Sequence, residues 1–327
     1  VPDDSLDALP RVPLGLHPTP LHEMPRLRER LGGATKVPRL LLKRDDLNGV
    51  ALGGNKLRKL EYLVADAEAQ KADVLITAGA AQSNHCRQTA AVAAMRGMEC
   101  HLCLRGPEPN KRTGNLILDD WLGARLHFAE PRTNVSVLIE TVAGELSAQG
   151  RRPYQIPIGG SNAVGATGYV AAARELAAQR PNATHLVVAT GSGGTQAGLE
   201  VGARLFGLGA KVIGIGVAEP DTVSWNADVA NLANAVAARL NADLHLAPAD
   251  IECPMAWMGP RYGDPTPAGN DAIRLLARTE GIFLDPVYSA KAFAALLDMV
   301  RQNRFAPADT VVFWHTGGTP ALFADGH

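Results

Sequence analysis

The sequence predicts an α/β fold: parallel-rich open sheets with helices on both faces, in two layers with a cleft between them. Three observations carry that prediction. Apolar runs of strand length alternate with helical patterns along most of the chain. Ala, Leu, Val and Gly abound while aromatic residues supply only 5% of the 327 positions, which suits helices packed over a parallel sheet. Glycine turns recur where a strand gives way to a helix, the end of such a sheet at which ligands are held.

Residues 1–35 are rich in Pro and Arg, with Pro18-Thr19-Pro20 and a short helix over 26–31. The run Leu40-Leu41-Leu42-Lys43-Arg44 reads as a strand. A helix follows from Lys56, where Leu57, Leu60, Leu63, Val64 and Ala67 repeat at three- and four-residue spacing and form one apolar stripe. Strands are then expected over 73–77, 99–104, 125–128 and 154–156, with helices over 82–96, 115–122 and 135–149 between them. A second series begins after Gly159-Gly160. Its helices cover 168–179, 194–206, 223–240, 268–279 and 291–300, and its strands 185–189, 211–217 and 310–314. The loop 247–267 carries prolines at 248, 254, 260, 265 and 267. It is too long for an ordinary connection and reads as a functional loop or lid.

The formal net charge is −1, which gives no global attraction to nucleic acid or to a membrane. No apolar run approaches the roughly 20 residues needed to span a bilayer. The first residues, Val1-Pro2-Asp3-Asp4, show no basic region followed by an apolar core, so no secretory signal is expected. Four cysteines, Cys86, Cys100, Cys103 and Cys253, fit a reduced cytoplasmic protein better than a disulfide scaffold. Cys100-His101-Leu102-Cys103 has redox-motif spacing but falls inside a strand, and no second pair completes a zinc site. A structural role, and no metal, is the expectation.

Four stretches carry chemistry. In Gly53-Gly54-Asn55-Lys56 two glycines let the backbone turn tightly. Lys56 then sits in the first helical turn, where the positive end of the dipole disfavours a cation. That field, with partial burial, lowers the pKa of the amine and frees it to attack an aldehyde. Taken alone, the segment fits a solvated lysine at a helix end slightly better. The second stretch, Thr190-Gly191-Ser192-Gly193-Gly194-Thr195-Gln196, follows a strand and opens a helix, so its backbone N–H groups form a phosphate cup. Gln196 stands where a dinucleotide fingerprint has its third glycine, and the Gly-Lys-Ser/Thr end of a P-loop is missing. The third is Gln82-Ser83-Asn84-His85, three or more polar residues where plain N-capping needs one. The fourth is Trp314-His315-Thr316-Gly317-Gly318-Thr319, another strand end followed by glycines. His85 and His315 flank these loops as packed or catalytic groups, and Arg261, beside Tyr262, reads as solvated.

Together these four stretches resemble the fold-type II pyridoxal-phosphate enzymes, nearest the D-cysteine desulfhydrase and 1-aminocyclopropane-1-carboxylate deaminase family. The resemblance runs from Leu42-Lys43-Arg44-Asp45-Asp46 through Asp285-Pro286-Val287-Tyr288 to Thr316-Gly317-Gly318. It implies pyridoxal 5'-phosphate attached to Lys56, with Asn84 on its phenolic oxygen and Gly191, Ser192, Gly193, Gly194 and Thr195 around its phosphate. Ser83 would lie beside the substrate carboxylate. Tyr288 and Tyr262 would be the active-site tyrosines, and Thr316 the neutral partner of the pyridine nitrogen. It also implies a large cofactor-binding domain of 1–57 and 166–327, a small α/β domain of 58–165, an active site in the interdomain cleft, and a cytoplasmic homodimer.

Ring-opening deaminases carry a glutamate facing the pyridine nitrogen where this chain has Ser289. A hydroxyl cannot keep that nitrogen protonated. The reading is therefore β-elimination on a small β-substituted amino acid, most simply D-cysteine to pyruvate, sulfide and ammonia. L-Cysteate sulfo-lyase and 1-aminocyclopropane-1-carboxylate deaminase are the alternatives, and the α-proton is taken by Lys56 or a tyrosine. A nucleotide-binding α/β module with Glu219 as its ribose acceptor is the non-enzyme alternative.

Overall fold

The protein is described from a computed structural model, which covers residues 3–129, 134–218 and 222–324. In chain order the elements are α1 (Asp3–Asp7), β1 (Leu21–Glu23), α2 (Pro25–Arg30), β2 (Arg39–Arg44), α3 (Lys56–Ala69), β3 (Val74–Ala80) and α4 (Asn84–Arg96). They continue with β4 (Glu99–Arg105), α5 (Asn115–Trp121), β5 (Arg125–Phe128), α6 (Val135–Ala148), β6 (Pro153–Gln155), α7 (Ala163–Ala178) and β7 (His185–Thr190). The last are α8 (Gly194–Leu205), β8 (Lys211–Gly216), α9 (Thr222–Arg239), α10 (Pro267–Glu280), α11 (Ser289–Arg301) and β9 (Thr310–His315).

Two sheets result, in strand orders β1-β2-β9-β7-β8 and β5-β4-β3-β6. All pairings are parallel except that of β1 with β2. The parallel-rich sheets with helices on both faces expected from the sequence are therefore observed. Alternation along each strand explains the layers, because successive side chains leave a strand on opposite faces. Leu40, Leu42, Val311 and Phe313 join α10 and α11 on one side of the larger sheet. Leu41, Val312 and Trp314 meet α7 and α8 on the other. In the smaller sheet Leu75, Leu102 and Leu104 face α3 and α4, while Val74, Ile76 and Ala78 face α6.

Three boundaries differ from expectation for physical reasons. The edge strand β1 is three residues long and largely exposed, so it lacks a periodic signature. Helix α7 starts at Ala163, not 168, because Asn162 caps it by accepting from the Gly165 amide. Its glycines serve close packing: a Cβ at Gly168 would strike the Arg58 carbonyl of α3. The proline-rich loop is partly a sheet edge, with the Gly214 and Gly216 amides donating to Glu252 and Pro254 carbonyls at 3.0 Å. Glu219 lies outside the described residues.

A buried charge network fixes the floor beneath the Lys56 turn. Asp45, fully buried, accepts from Arg58 at 2.8 and 2.9 Å, Tyr169 at 2.6 Å, Trp314 at 2.7 Å and Thr19 at 3.0 Å. Arg58 also pairs with Glu175, which Lys43 of β2 reaches too. Burial alone would raise the Asp45 carboxyl, but the Arg58 guanidinium and the Tyr169 and Trp314 donors hold it at about 2.

Candidate active site

Lys56 opens α3, and the turn before it is tied down on every side. Gly53 and Gly54 take φ of +70° and +130°, conformations that glycine reaches without strain. The Gly53 carbonyl accepts from Arg87 Nη2 at 2.7 Å and from Gln88, both on α4. The Gly54 amide donates to the Asp45 carbonyl at 2.9 Å and the Asn55 amide to the Thr316 carbonyl at 3.0 Å. A Cβ on Gly317 would stand 2.7 Å from Gly54 Cα, so the Lys56 and Thr316 turns touch backbone to backbone. Burial lowers the Lys56 ammonium to about 8, which leaves a useful fraction of neutral amine near pH 7.

The glycine loop faces Lys56 across a cavity. Gly191, Ser192, Gly193 and Thr195 line it, and Gly193, at φ +75°, turns the chain into α8. Gly194 stands behind the lining as the first residue of α8, where a Cβ would meet Ser161 Oγ at 2.6 Å. Gln196 is buried, with Nε2 donating to the Glu252 carbonyl at 3.0 Å, away from the cup. Asn55 Nδ2 donates to Thr195 Oγ1 at 3.1 Å and joins the lysine turn to the loop.

Lys59, one helical turn after Lys56, was not assigned to the cup from sequence. Its Nζ donates to the Gly159 carbonyl at 3.0 Å and to Ser161 Oγ at 3.1 Å, and Ser161 Oγ lies 2.8 Å from Ser192 Oγ. Burial, then the charge of Lys56, presses its pKa well below the usual lysine range. No carboxylate among the described residues pairs with it. A dianion in the cup would restore that charge.

The smaller sheet supplies the opposite wall. Ser83 caps α4, its Oγ accepting from the Cys86 amide at 3.2 Å, and also lines the cavity. Asn84 lines it beside Ser83. His85 lines it as well, with Nε2 2.8 Å from Thr77 Oγ1, and burial drives its pKa well down so that the ring is neutral. Arg105, at the end of β4, is exposed at the cavity.

Tyr262 and Tyr288 meet hydroxyl to hydroxyl, with rings edge-on at 6.0 Å between centroids, and both line the cavity. Burial raises both phenols, Tyr288 the more strongly. Thr316 lines the cavity, but Ser289 does not. The Ser289 hydroxyl donates to Asp285 Oδ1 at 2.6 Å and accepts from the Asp285 amide at 2.7 Å. Asp285 also takes the amides of Val287, Tyr288 and Ser289 at 2.8–3.0 Å. Position 289 thus belongs to the cap that sets the Tyr288 turn, and the expectation that its hydroxyl faces the pyridine nitrogen is corrected. His315 is structural, between the Phe283 carbonyl at 2.9 Å and the Gly317 amide at 3.1 Å. Arg261 is 81% exposed and pairs with Asp264. All four cysteines are buried and free, and burial raises Cys103 to about 11 and Cys253 to about 12.

The residues present fit pyridoxal phosphate. A desolvated lysine amine faces a glycine cup backed by a second buried lysine, and amide and hydroxyl side chains line the cavity between them. The cavity measures ≈ 220 Å³. Gly193→Asp is expected to weaken pyridoxal phosphate binding at least about tenfold, since it brings a negative charge to a loop proposed to hold a dianion, strains a φ of +75° and sets a Cβ 3.3 Å from Val229 Cγ2. Fluorescence titration of the stripped enzyme measures this, and an unchanged dissociation constant would remove the loop from the site.

A fold of two parallel-rich sheets with a lysine and a glycine cup at their strand ends defines a class, and the comparisons agree with it. The model of the pyridoxal-phosphate dependent enzyme family matches residues 12–317, and the chain belongs to that family. It is 44% identical to the D-cysteine desulfhydrase of Salmonella choleraesuis (strain SC-B67) over 332 residues, covering 99% of this chain and 98% of that one. It is 45% identical to the D-cysteine desulfhydrase of Klebsiella pneumoniae (strain 342), with 98% and 97% covered. The crystal structure of an ACC deaminase homologue superposes with a TM-score of 0.89 at 36% identity, covering 98% of this chain and 95% of the other. The protein is thus a pyridoxal-phosphate dependent enzyme.

Proposed function

We propose that the chain catalyses β-elimination of D-cysteine, giving pyruvate, hydrogen sulfide and ammonia with the uptake of one water. The observation that carries this choice is the cavity wall. No carboxylate lines it among the described residues, and Thr316, which the resemblance to the desulfhydrases sets against the pyridine nitrogen, lines it with a hydroxyl. Such a wall favours a substrate that enters by losing an α-proton over one that has none. D-Cysteine is also what the two desulfhydrases named above act on, at 44 and 45% identity over nearly full length.

Pyridoxal phosphate, when bound, supplies an aldehyde for amines and a ring that withdraws electrons from the α-carbon. Lys56 would anchor it, and its free amine is the base for the α-proton, because its pKa near 8 suits proton uptake at neutral pH. Tyr262 and Tyr288 are poor bases, since burial holds both hydroxyls protonated. They serve instead as donors to the departing sulfur. Ser83 and the adjacent α4 amides orient the substrate carboxylate. Asn84 would hold the phenolic oxygen and Gly191, Ser192, Gly193, Gly194 and Thr195 the phosphate, with Lys59 behind it.

One observation favours a second substrate. Arg105 at the cavity has no ion-pair partner among the described residues, and its charge reaches Tyr262. A β-sulfonate would find its counter-ion there, which keeps L-cysteate in the assay. We assign 1–57 with 166–327 to the larger, cofactor-binding domain and 58–165 to the smaller, with the active site in the cleft between them. A homodimer in the cytoplasm completes the proposal. No helix among the described residues is long and apolar enough to cross a membrane.

The test is a panel of D-cysteine, L-cysteine and L-cysteate, with pyruvate and the released sulfur species measured together. Pyruvate and sulfide in equal amounts from D-cysteine are expected. Faster pyruvate and sulfite from L-cysteate would transfer the assignment to a sulfo-lyase.

A further inference from the structure

The direction in which Asn84 presents its amide decides whether it meets an oxygen as donor or as acceptor, and a residue outside the cavity lining fixes that direction. Asn115, at the start of α5 and fully buried, donates from Nδ2 to the Gln82 backbone carbonyl at 2.8 Å and to Asn84 Oδ1 at 3.0 Å. A backbone carbonyl can only accept. Asn115 must therefore point its nitrogen at Gln82, and the same nitrogen then requires an oxygen from Asn84. The Asn84 Nδ2 group is left on the other side, where Asn84 lines the cavity, and it donates to no described residue. Asn115 is itself clamped, its amide donating to Gln82 Oε1 at 2.8 Å while Gln82 Nε2 donates to the Thr113 carbonyl at 2.9 Å.

We propose that Asn115 is a positioning residue: through the polarity sequence Gln82 carbonyl, Asn115 amide, Asn84 amide, it makes Asn84 a donor to the phenolic oxygen of the cofactor. This rests on the cofactor reading given above. Without that orientation Asn84 is free to turn its carbonyl toward a phenolate, exchanging an attraction for a repulsion. A donor on the phenolate favours its charged form, so losing it raises the pH at which the lysine-bound chromophore titrates.

The experiment uses stripped and reloaded full-length enzyme, with two readouts besides turnover: the dissociation constant for pyridoxal phosphate and the pH midpoint of the visible band. Asn115→Asp puts a carboxylate against the Gln82 carbonyl and Asn84 Oδ1. It should weaken cofactor binding at least about tenfold and raise the midpoint by about one pH unit. Asn115→Ala should move both in the same direction by less, and it carries the test if the aspartate variant does not fold. On an Asn84→Ala background, Asn115→Ala should add less than about threefold, because a residue acting only through Asn84 has nothing left to orient. An unmoved midpoint in both variants, or an undiminished effect on the Asn84→Ala background, overturns the proposal and makes Asn115 a packing residue of α5. Failure of the wild type to form a borohydride-sensitive band would overturn the cofactor reading itself, and this inference with it.

Discussion

Lys56→Ala is expected to abolish covalent attachment of pyridoxal phosphate and to lower turnover at least about 10⁴-fold. On the proposed reading two functions are lost with one amine: the anchor and the base for the α-proton. The turn that carries the residue is held by backbone contacts to Asp45, Thr316 and α4, none of which uses the lysine side chain. The fold should therefore survive, and cofactor should still dock in the glycine cup without the borohydride-sensitive band. Reduction of the wild type followed by peptide mapping checks the site of attachment. A retained band in the variant would make Lys59, one turn on, the anchor.

The second large effect is on stability. Asp45→Asn removes one of the two carboxylates that Arg58 faces in the buried network and leaves Glu175, at a cost of about 2 kcal/mol. In a chain of this size that corresponds to a fall of several degrees in Tm. As a contrast, Arg112, on the surface between Glu108 and Asp120, should change stability by less than about 1 kcal/mol when replaced by alanine. The pH dependence separates charge from packing. Because the folded Asp45 carboxyl is depressed from 3.8 to about 2, its contribution is fully present above pH 3.8 and is lost as the pH falls toward 2. The Tm gap between wild type and Asp45→Asn should narrow over that window, as differential scanning calorimetry would record. A gap that holds constant down to pH 2 would assign the loss to packing.

Much of this molecule was legible in its sequence because local pattern and global fold agree. Strand and helix alternation is explicit wherever strands are buried on both faces, as in β7 or β9. The glycine turns were legible because few residues other than glycine adopt the backbone that Gly53, Gly54 and Gly193 adopt. Side-chain direction was not. Ser289 follows Tyr288 in the chain, but at the start of α11 its hydroxyl turns to Asp285 and away from the cavity. Lys59 and Asn55 carried a signal that went unused, since each is one helical turn or less from Lys56. Asn115 carried none: it comes 31 residues after Asn84, and only the packing of α5 against α4 brings the two amides together.

Substrate choice is made at a wall that holds no carboxylate among the described residues. Competition between D-cysteine and 1-aminocyclopropane-1-carboxylate on the wild-type enzyme tests it most directly, with pyruvate and 2-oxobutyrate measured in the same mixture. A cyclopropane with no α-hydrogen cannot enter by proton removal at Lys56. The expected result is a kcat/KM for D-cysteine at least about 10²-fold higher, the scale of a lost proton-transfer route. Comparable kcat/KM values for the two substrates would contradict it and make the protein a ring-opening deaminase.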